Sequence, residues 1–194
     1  MSCADSPLRG SIKNEWSVMA YSFFSLARDT HQELEPYDDG RVRIEVKVTK
    51  SGVASIWDKE LLIYAASLIV DRANRGEGLS PRITFAPHDF FRIAHVKNAG
   101  TAYERVTGAL ERLQGTQIKT NIETGGEGSD EWFSWLKTAK VNYRKDPKTG
   151  DRVLQSVTLE LCDWLFRATG RDNRMLTYDR RYFDLGVLGV TTRK

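Results

Sequence analysis

The sequence predicts an α+β fold, and three observations predict it. Segments with two-residue alternation (Arg41–Val48, Thr116–Glu123, Arg152–Leu161) are interleaved with segments of helical spacing. The stretch Ser80–Gln117, SPRITFAPHDFFRIAHVKNAGTAYERVTGALERLQGTQ, reads as short strand, short helix, tight turn, longer helix and strand. A glycine-rich tip, GGEG at 125–128, separates two strand candidates. Together these describe a winged helix-turn-helix with an added N-terminal β-hairpin and extended antiparallel wing strands.

Taken in order, residues 1–18 read as a flexible leader, 19–185 as the winged-helix domain and 186–194 as an irregular tail. The apolar segment MAYSFFSL at 19–26 is expected to dock on the domain. Asp39-Gly40 is a turn signal. Beyond it, Val42, Ile44, Val46 and Val48 share one face of a strand, and Arg43, Glu45 and Lys47 share the other. Val53–Trp57 is read as its hairpin partner across Ser51-Gly52. Asp58 is read as the cap of a helix whose apolar face is Leu61, Leu62, Ala65, Leu68 and Ile69, ending at Gly76 and Gly78.

Pro87 suits the first turn of the next helix, which carries Phe90, Phe91 and Ala94. The following helix opens on Thr101 and Glu104, spaced as a capping box. Val106, Ala109, Leu110 and Leu113 form its apolar stripe, and Gly115 is placed to end it. Its opposite face carries Tyr103, Arg105 and Arg112. The strand after it alternates Ile118 and Ile122 against Lys119 and Asn121, and Trp132–Tyr143 is its expected partner across the tip. A polar turn with Pro147 and Gly150 precedes the Arg152–Leu161 strand; Cys162–Thr169 gives one or two helical turns.

Charge is polarised rather than large. The net formal charge is +3, but residues 80–120 hold six Lys/Arg against three acids, and 167–194 hold seven against three. Residues 29–60 hold eight acids against five Lys/Arg. Such a molecule can present a basic face to phosphates. There is no long apolar run to span a membrane and no apolar signal core, and two cysteines make no disulfide framework; the cytoplasm is the expected compartment.

No enzyme, metal or cofactor chemistry is expected. No GxxxxGK[ST] occurs, and GGEG lacks the lysine and helix of a phosphate cradle. His88 and His95 have no zinc spacing, Asp38-Asp39 reads as a solvated turn, and Tyr178 and Tyr182 lack the histidine cluster of a nicking enzyme. Trp132, Trp135 and Trp164 read as packing residues, with a stacking platform for single-stranded DNA as the alternative. The expected DNA contacts are Arg92, Lys97, Arg105, Arg112 and Lys119 around the helix and wing.

The strings IWDKELLIYAASLI, RITFAPHDFFRI, GTAYERVTGALERLQGTQIKTNI, VTLELCDWLF and LTYDRRYFDL, in this order, resemble the plasmid replication initiator protein A family. The resemblance implies winged-helix domains that bind repeated double-stranded DNA sites at a plasmid origin and help open it for host replication proteins. It places Thr101, Tyr103, Arg105 and Arg112 on or near the recognition helix; Thr101, Tyr103 and the strand residue Asn121 join Arg92, Lys97, Arg105, Arg112 and Lys119 as expected DNA-binding residues. In the family the chain runs past YFDL into an arginine-rich segment and a further DNA-binding region; here GVLGVTTRK follows, as in a truncated or fragmentary chain. Two other readings stay open. One is a dimerisation module, with a homodimer seam at Arg41–Val48 or MAYSFFSL; the other is a repressor of the initiator's own promoter.

Overall fold

The computed structural model describes residues 5–26, 34–95, 101–124, 129–171, 175–178 and 182. In chain order the elements are β1 (Ile12–Glu15), α1 (Trp16–Ala20), β2 (Tyr37–Asp38), β3 (Arg43–Lys47), α2 (Ile56–Asn74), β4 (Arg82–Phe85) and α3 (Pro87–Ile93). There follow α4 (Ala102–Gly115), β5 (Gln117–Thr120), β6 (Glu131–Ser134), β7 (Leu136–Lys145), β8 (Arg152–Leu161), α5 (Asp163–Arg171) and β9 (Met175–Tyr178).

Among the described residues the strands form three antiparallel sheets with orders β1-β9, β2-β3-β5-β6 and β4-β8-β7. Around them α2 is the central element. Leu61, Leu62, Ile63, Tyr64, Ala65, Ala66, Leu68 and Ile69 are all at most 2% exposed. A helix apolar on nearly every side must be enclosed, and α2 lies against β1, β4, α4 and α5. Its end follows the expected break, with Gly76 at φ 76°.

An aromatic cluster holds the other half of the core. Trp135 stacks on Phe24 at 4.9 Å and Trp164 on Phe133 at 5.1 Å, with Phe23 edge-on to both tryptophans. The indole N–H of Trp164 donates to the Ile122 carbonyl at 3.1 Å. MAYSFFSL therefore docks through Phe23 and Phe24, while Leu26 stays 82% exposed.

Several expectations are corrected. Much of the expected leader is part of the core: Leu8, Ile12 and Val18 are buried, and Ile12–Glu15 pairs with Met175–Tyr178. Asp5 and Ser6 also accept from the backbone N–H groups of Thr84 and Ala86. The hairpin of 41–57 does not form. Ala54 and Ser55 instead meet Ser25, with Ser25 N–H donating to Ala54 O at 3.0 Å, and Ala54 N–H donates to the Thr116 hydroxyl at 2.7 Å. The hairpin that does form is β2–β3, turned at Asp39-Gly40: Asp39 accepts from the N–H groups of Arg41 and Val42, and Gly40 takes φ 83°. Those bonds hold the Asp39 carboxyl below its ordinary range.

Asp58 is not the cap of α2 but its third residue. Ser55 is the N-cap, and its N–H donates to Asp58 at 2.8 Å. Trp132–Tyr143 is not one strand. The chain bends at Trp135, which is fully buried; β6 stays with β5, and β7 joins β8 in a different sheet. At the bend Trp135 N–H donates to Leu113 O at 3.2 Å, and its carbonyl accepts from Cys162 N–H at 3.0 Å.

Candidate nucleic-acid interface

Helix α4 buries Ala102, Val106, Leu110 and Leu113 and leaves Glu104, Arg105, Glu111 and Gln114 exposed. It packs on β7 and β8, and α3 packs on β8. Thr101 is exposed at its start, but its hydroxyl does not cap the helix. With φ −103° and ψ 10° it lacks the extended backbone that aims a cap oxygen at the first turn. The expected capping box with Glu104 is therefore not made. Gly115 is the last helical residue, and Thr116 is the cap. A Cβ on Gly115 would lie 2.9 Å from the Thr49 hydroxyl, so close approach of the β3 end requires glycine there.

The two arginines of α4 have different fates. Arg105 is exposed and enters no salt bridge among the described residues. Arg112, expected on the outward face, turns inward. Its Nε and Nη2 donate to the two oxygens of Asp58 at 2.7 and 2.8 Å, and Asp58 is 2% exposed. Bidentate pairing raises the Arg112 pKa further. Gly108 makes room: a Cβ there would lie 3.3 Å from Arg112 Nη1.

The other expected contacts are scattered. Arg92 is 63% exposed at the end of α3, 3.8 Å from Asp89. Lys97 lies outside the described residues. Lys119 pairs with Glu45 at 3.2 Å and lies 5.4 Å over the ring of Trp132. Asn121 is a brace for β3: its amide accepts from Arg43 N–H at 2.7 Å and donates to Arg41 O at 2.8 Å. Trp135 and Trp164 are buried as expected, but Trp132 is 68% exposed.

Tyr103 leads to residues that sequence reasoning missed. Its hydroxyl accepts from Arg152 Nη1 at 2.7 Å, and the Arg152 guanidinium lies 5.2 Å from its ring and 4.8 Å from that of Tyr143. The two tyrosines meet edge to face at 5.6 Å. This latch ties α4 to the outer end of the β7–β8 hairpin, whose last pair is Lys145↔Arg152. The hairpin exposes Lys140, Arg144, Lys145 and Lys148, none in a salt bridge among the described residues. Its turn is set by Asp146, which accepts from Lys148 and Thr149 N–H, and by Gly150 at φ 78°. The signal was present in the sequence as Arg144, Lys145 and Lys148 beside Pro147 and Gly150, read there only as a polar turn.

Between α2, α3 and α4 lies a cavity of about 110 Å³ bordered by Trp57, Glu60, Phe91, Arg105 and Ala109. Burial pushes the Glu60 carboxyl up to about 7, against the pull of Arg105. Burial pushes the Cys162 thiol up to about 12. No described helix is long and apolar enough to cross a membrane.

The elements define a mixed helix-and-sheet domain in which Tyr103 of α4 is latched to Arg152 of a cationic hairpin. The sequence profile of the replication initiator protein A family matches residues 13–187. The chain belongs to this family. It is 30% identical over 184 residues to a protein of Wigglesworthia glossinidia brevipalpis that is named as a replication protein; the match covers 94% of this chain and 65% of the relative. The chain thus spans just under two thirds of that relative's length. Among solved structures it is similar to domains 2–3 of RctB, with a TM-score of 0.51 at 14% identity, over 73% of this chain and 55% of that one. A selenomethionine form of the same two domains gives 0.48 at 13% identity, over 72% and 56%.

Proposed function

We propose that this chain is the duplex-DNA-binding part of a plasmid replication initiator, with no catalytic group or cofactor of its own. One observation carries the reading: the β4-β8-β7 sheet seats α4 beside a hairpin whose Lys140, Arg144, Lys145 and Lys148 are exposed and enter no salt bridge among the described residues. The order α2, β4, α3, α4, β7, β8 is that of a winged helix-turn-helix, with β2, β3, β5 and β6 as an added sheet. The wing is then the β7–β8 hairpin rather than β5–β6.

In this reading the exposed side of α4 meets the major groove, and Arg105 is its base-reading or phosphate-contacting cation. Glu104 and Glu111 share that side and would repel phosphates. Phosphate contacts therefore fall to Arg144, Lys145 and Lys148 of the hairpin, and they set register rather than sequence. Arg112 acts as a strut, because drawing it onto DNA would strand a buried carboxylate. The target is a set of origin repeats, which the family's role in replication initiation supports.

The test is fluorescence anisotropy of labelled origin-repeat duplex, titrated with the full chain at several salt concentrations. Steep salt dependence is expected, and Arg105→Ala should weaken binding by about 1–3 kcal/mol if the side chain reaches a base. Unchanged affinity when Arg105→Ala is combined with alanines at 144, 145 and 148 would overturn the docking side.

A further inference from the structure

The β7–β8 hairpin is supported unevenly along its length. β4 pairs with residues 157–160 of β8, so the inner half belongs to a three-stranded sheet. Outward of Val157 the pairing runs on from Asn142↔Ser156 to Lys145↔Arg152 with no third strand among the described residues. A lone two-stranded ribbon is marginal in water, yet this half and its turn carry Arg144, Lys145 and Lys148. Among the described residues, the side-chain hydrogen bond that joins it to α4 is the one from Arg152 to Tyr103.

A break in register explains how Arg152 reaches the helix. Val157, Leu159 and Leu161 of β8 are fully buried, and strict alternation would send Arg152 to the opposite face. Asn142 lies opposite Ser156, but its neighbour Tyr143 lies opposite Leu154, so Gln155 has no opposite residue. Such a bulge re-aims the side chains beyond it. Leu154 now packs against the core, and Arg152 follows it to the side of α4. There its guanidinium donates to the Tyr103 hydroxyl at 2.7 Å and lies 5.2 and 4.8 Å from the rings of Tyr103 and Tyr143. A planar guanidinium can stack and donate at once; an ammonium is a point charge and does not stack.

We infer that Arg152 is a positioning residue for DNA binding: clamped by Tyr103 and Tyr143, it fixes the outer half of the hairpin against α4, so that Arg144, Lys145 and Lys148 are held ready for the duplex backbone. This rests on the reading of the β7–β8 hairpin as the wing. The guanidinium is already committed to a hydroxyl and two rings, so Arg152 acts through the hairpin rather than on a phosphate. Tyr103 likewise acts through Arg152 rather than on a base. Charge and placement are thereby separated. Without the latch the three cations remain, but on a ribbon that must be ordered each time it binds.

The experiment measures anisotropy of labelled origin-repeat duplex against the full chain across a range of salt concentrations. Tyr103→Ala removes no charge, so a direct contact there would change affinity and leave the salt slope as in the parent. A positioning role instead flattens the slope by about 2, as most of the hairpin cations lose their phosphates. Arg152→Ala should flatten it as far, beyond the change of about 1 that one lost phosphate contact explains. Arg152 is exposed, so this variant keeps the circular dichroism spectrum and urea midpoint of the parent. Arg152→Lys restores the charge and should not restore the slope. In a chain already carrying Arg144→Ala, Lys145→Ala and Lys148→Ala, Arg152→Ala should add nothing further. A slope change of about 1 or less in Arg152→Ala, or a parent slope in Arg152→Lys, overturns the inference and leaves the duplex reading standing. Parent protein with no affinity for the duplex overturns the duplex reading and the inference with it.

Discussion

The β5–β6 and β7–β8 ribbons look alike in sequence and differ in what their cations do. On the sheet that β5–β6 shares with β3, Lys119 and Arg43 are neutralised by Glu45 and Asp38. On the β7–β8 hairpin Arg144, Lys145 and Lys148 enter no salt bridge among the described residues, and Arg152 is used to fasten the hairpin to α4. Helix α4 repeats the contrast within itself, with Arg105 exposed and Arg112 locked on Asp58. Counting basic residues does not locate a phosphate-binding side; their pairing state does, because a paired cation must give up one partner to gain another.

The largest expected effect tests the joint between the ribbons. Trp135→Ala should cost about 3–5 kcal/mol in urea unfolding, as for other fully buried aromatics; a loss under about 1 kcal/mol would mean the two sheets do not share one core. Arg112→Ala should cost about 3 kcal/mol by leaving Asp58 buried and unpaired. Arg105→Ala should stay within about 0.5 kcal/mol of parent stability. Equal costs for the two arginines would erase the distinction between strut and contact. Next come the cations themselves. Alanines at 144, 145 and 148 should flatten the salt slope of duplex binding by about 3, one for each phosphate that no longer meets a cation. Lys119→Ala should leave that slope alone, and a matching change there would put β5–β6 back at the duplex.

A further effect, read against pH, concerns Glu60 beside Arg105. Its folded pKa, about 7, stands above the ordinary 4.5 because burial penalises the carboxylate. The folded state therefore keeps a proton that the unfolded chain has already lost, and stability falls as pH rises from about 4.5 to 7. Glu60→Gln should flatten the urea midpoint across that window. A parent midpoint that rises there would refute the assignment.

Much of the helical layout was legible in the sequence. Gly76 and Gly78, Pro87, and the stripe Val106, Leu110, Leu113 are local signals, and the structure places the bounds of α2, α3 and α4 beside them. Strand partnership was not legible, because alternation fixes which face a residue takes and not which strand lies next to it. Val53–Trp57 alternates well enough for a hairpin, yet Ser25 and Thr116 take its backbone groups. In the same way Trp132 and Trp135 look equivalent, and only the bend sends one outward and the other to the centre. Within the candidate interface, Arg105 could be read from its helix. The inward turn of Arg112 depends on Asp58, 54 residues earlier, which no spacing rule connects to it.

The bend at Trp135 also makes a reporter. Its N–H and that of Cys162 sit in bonds that cross from α4 to the strand junction and from the junction to the end of β8. Neither can open by fraying one strand, so both amides should trade their protons for deuterium only when the whole domain opens. Their rate, read by nuclear magnetic resonance, would then give the global unfolding free energy, while amides at the 146–151 turn exchange early.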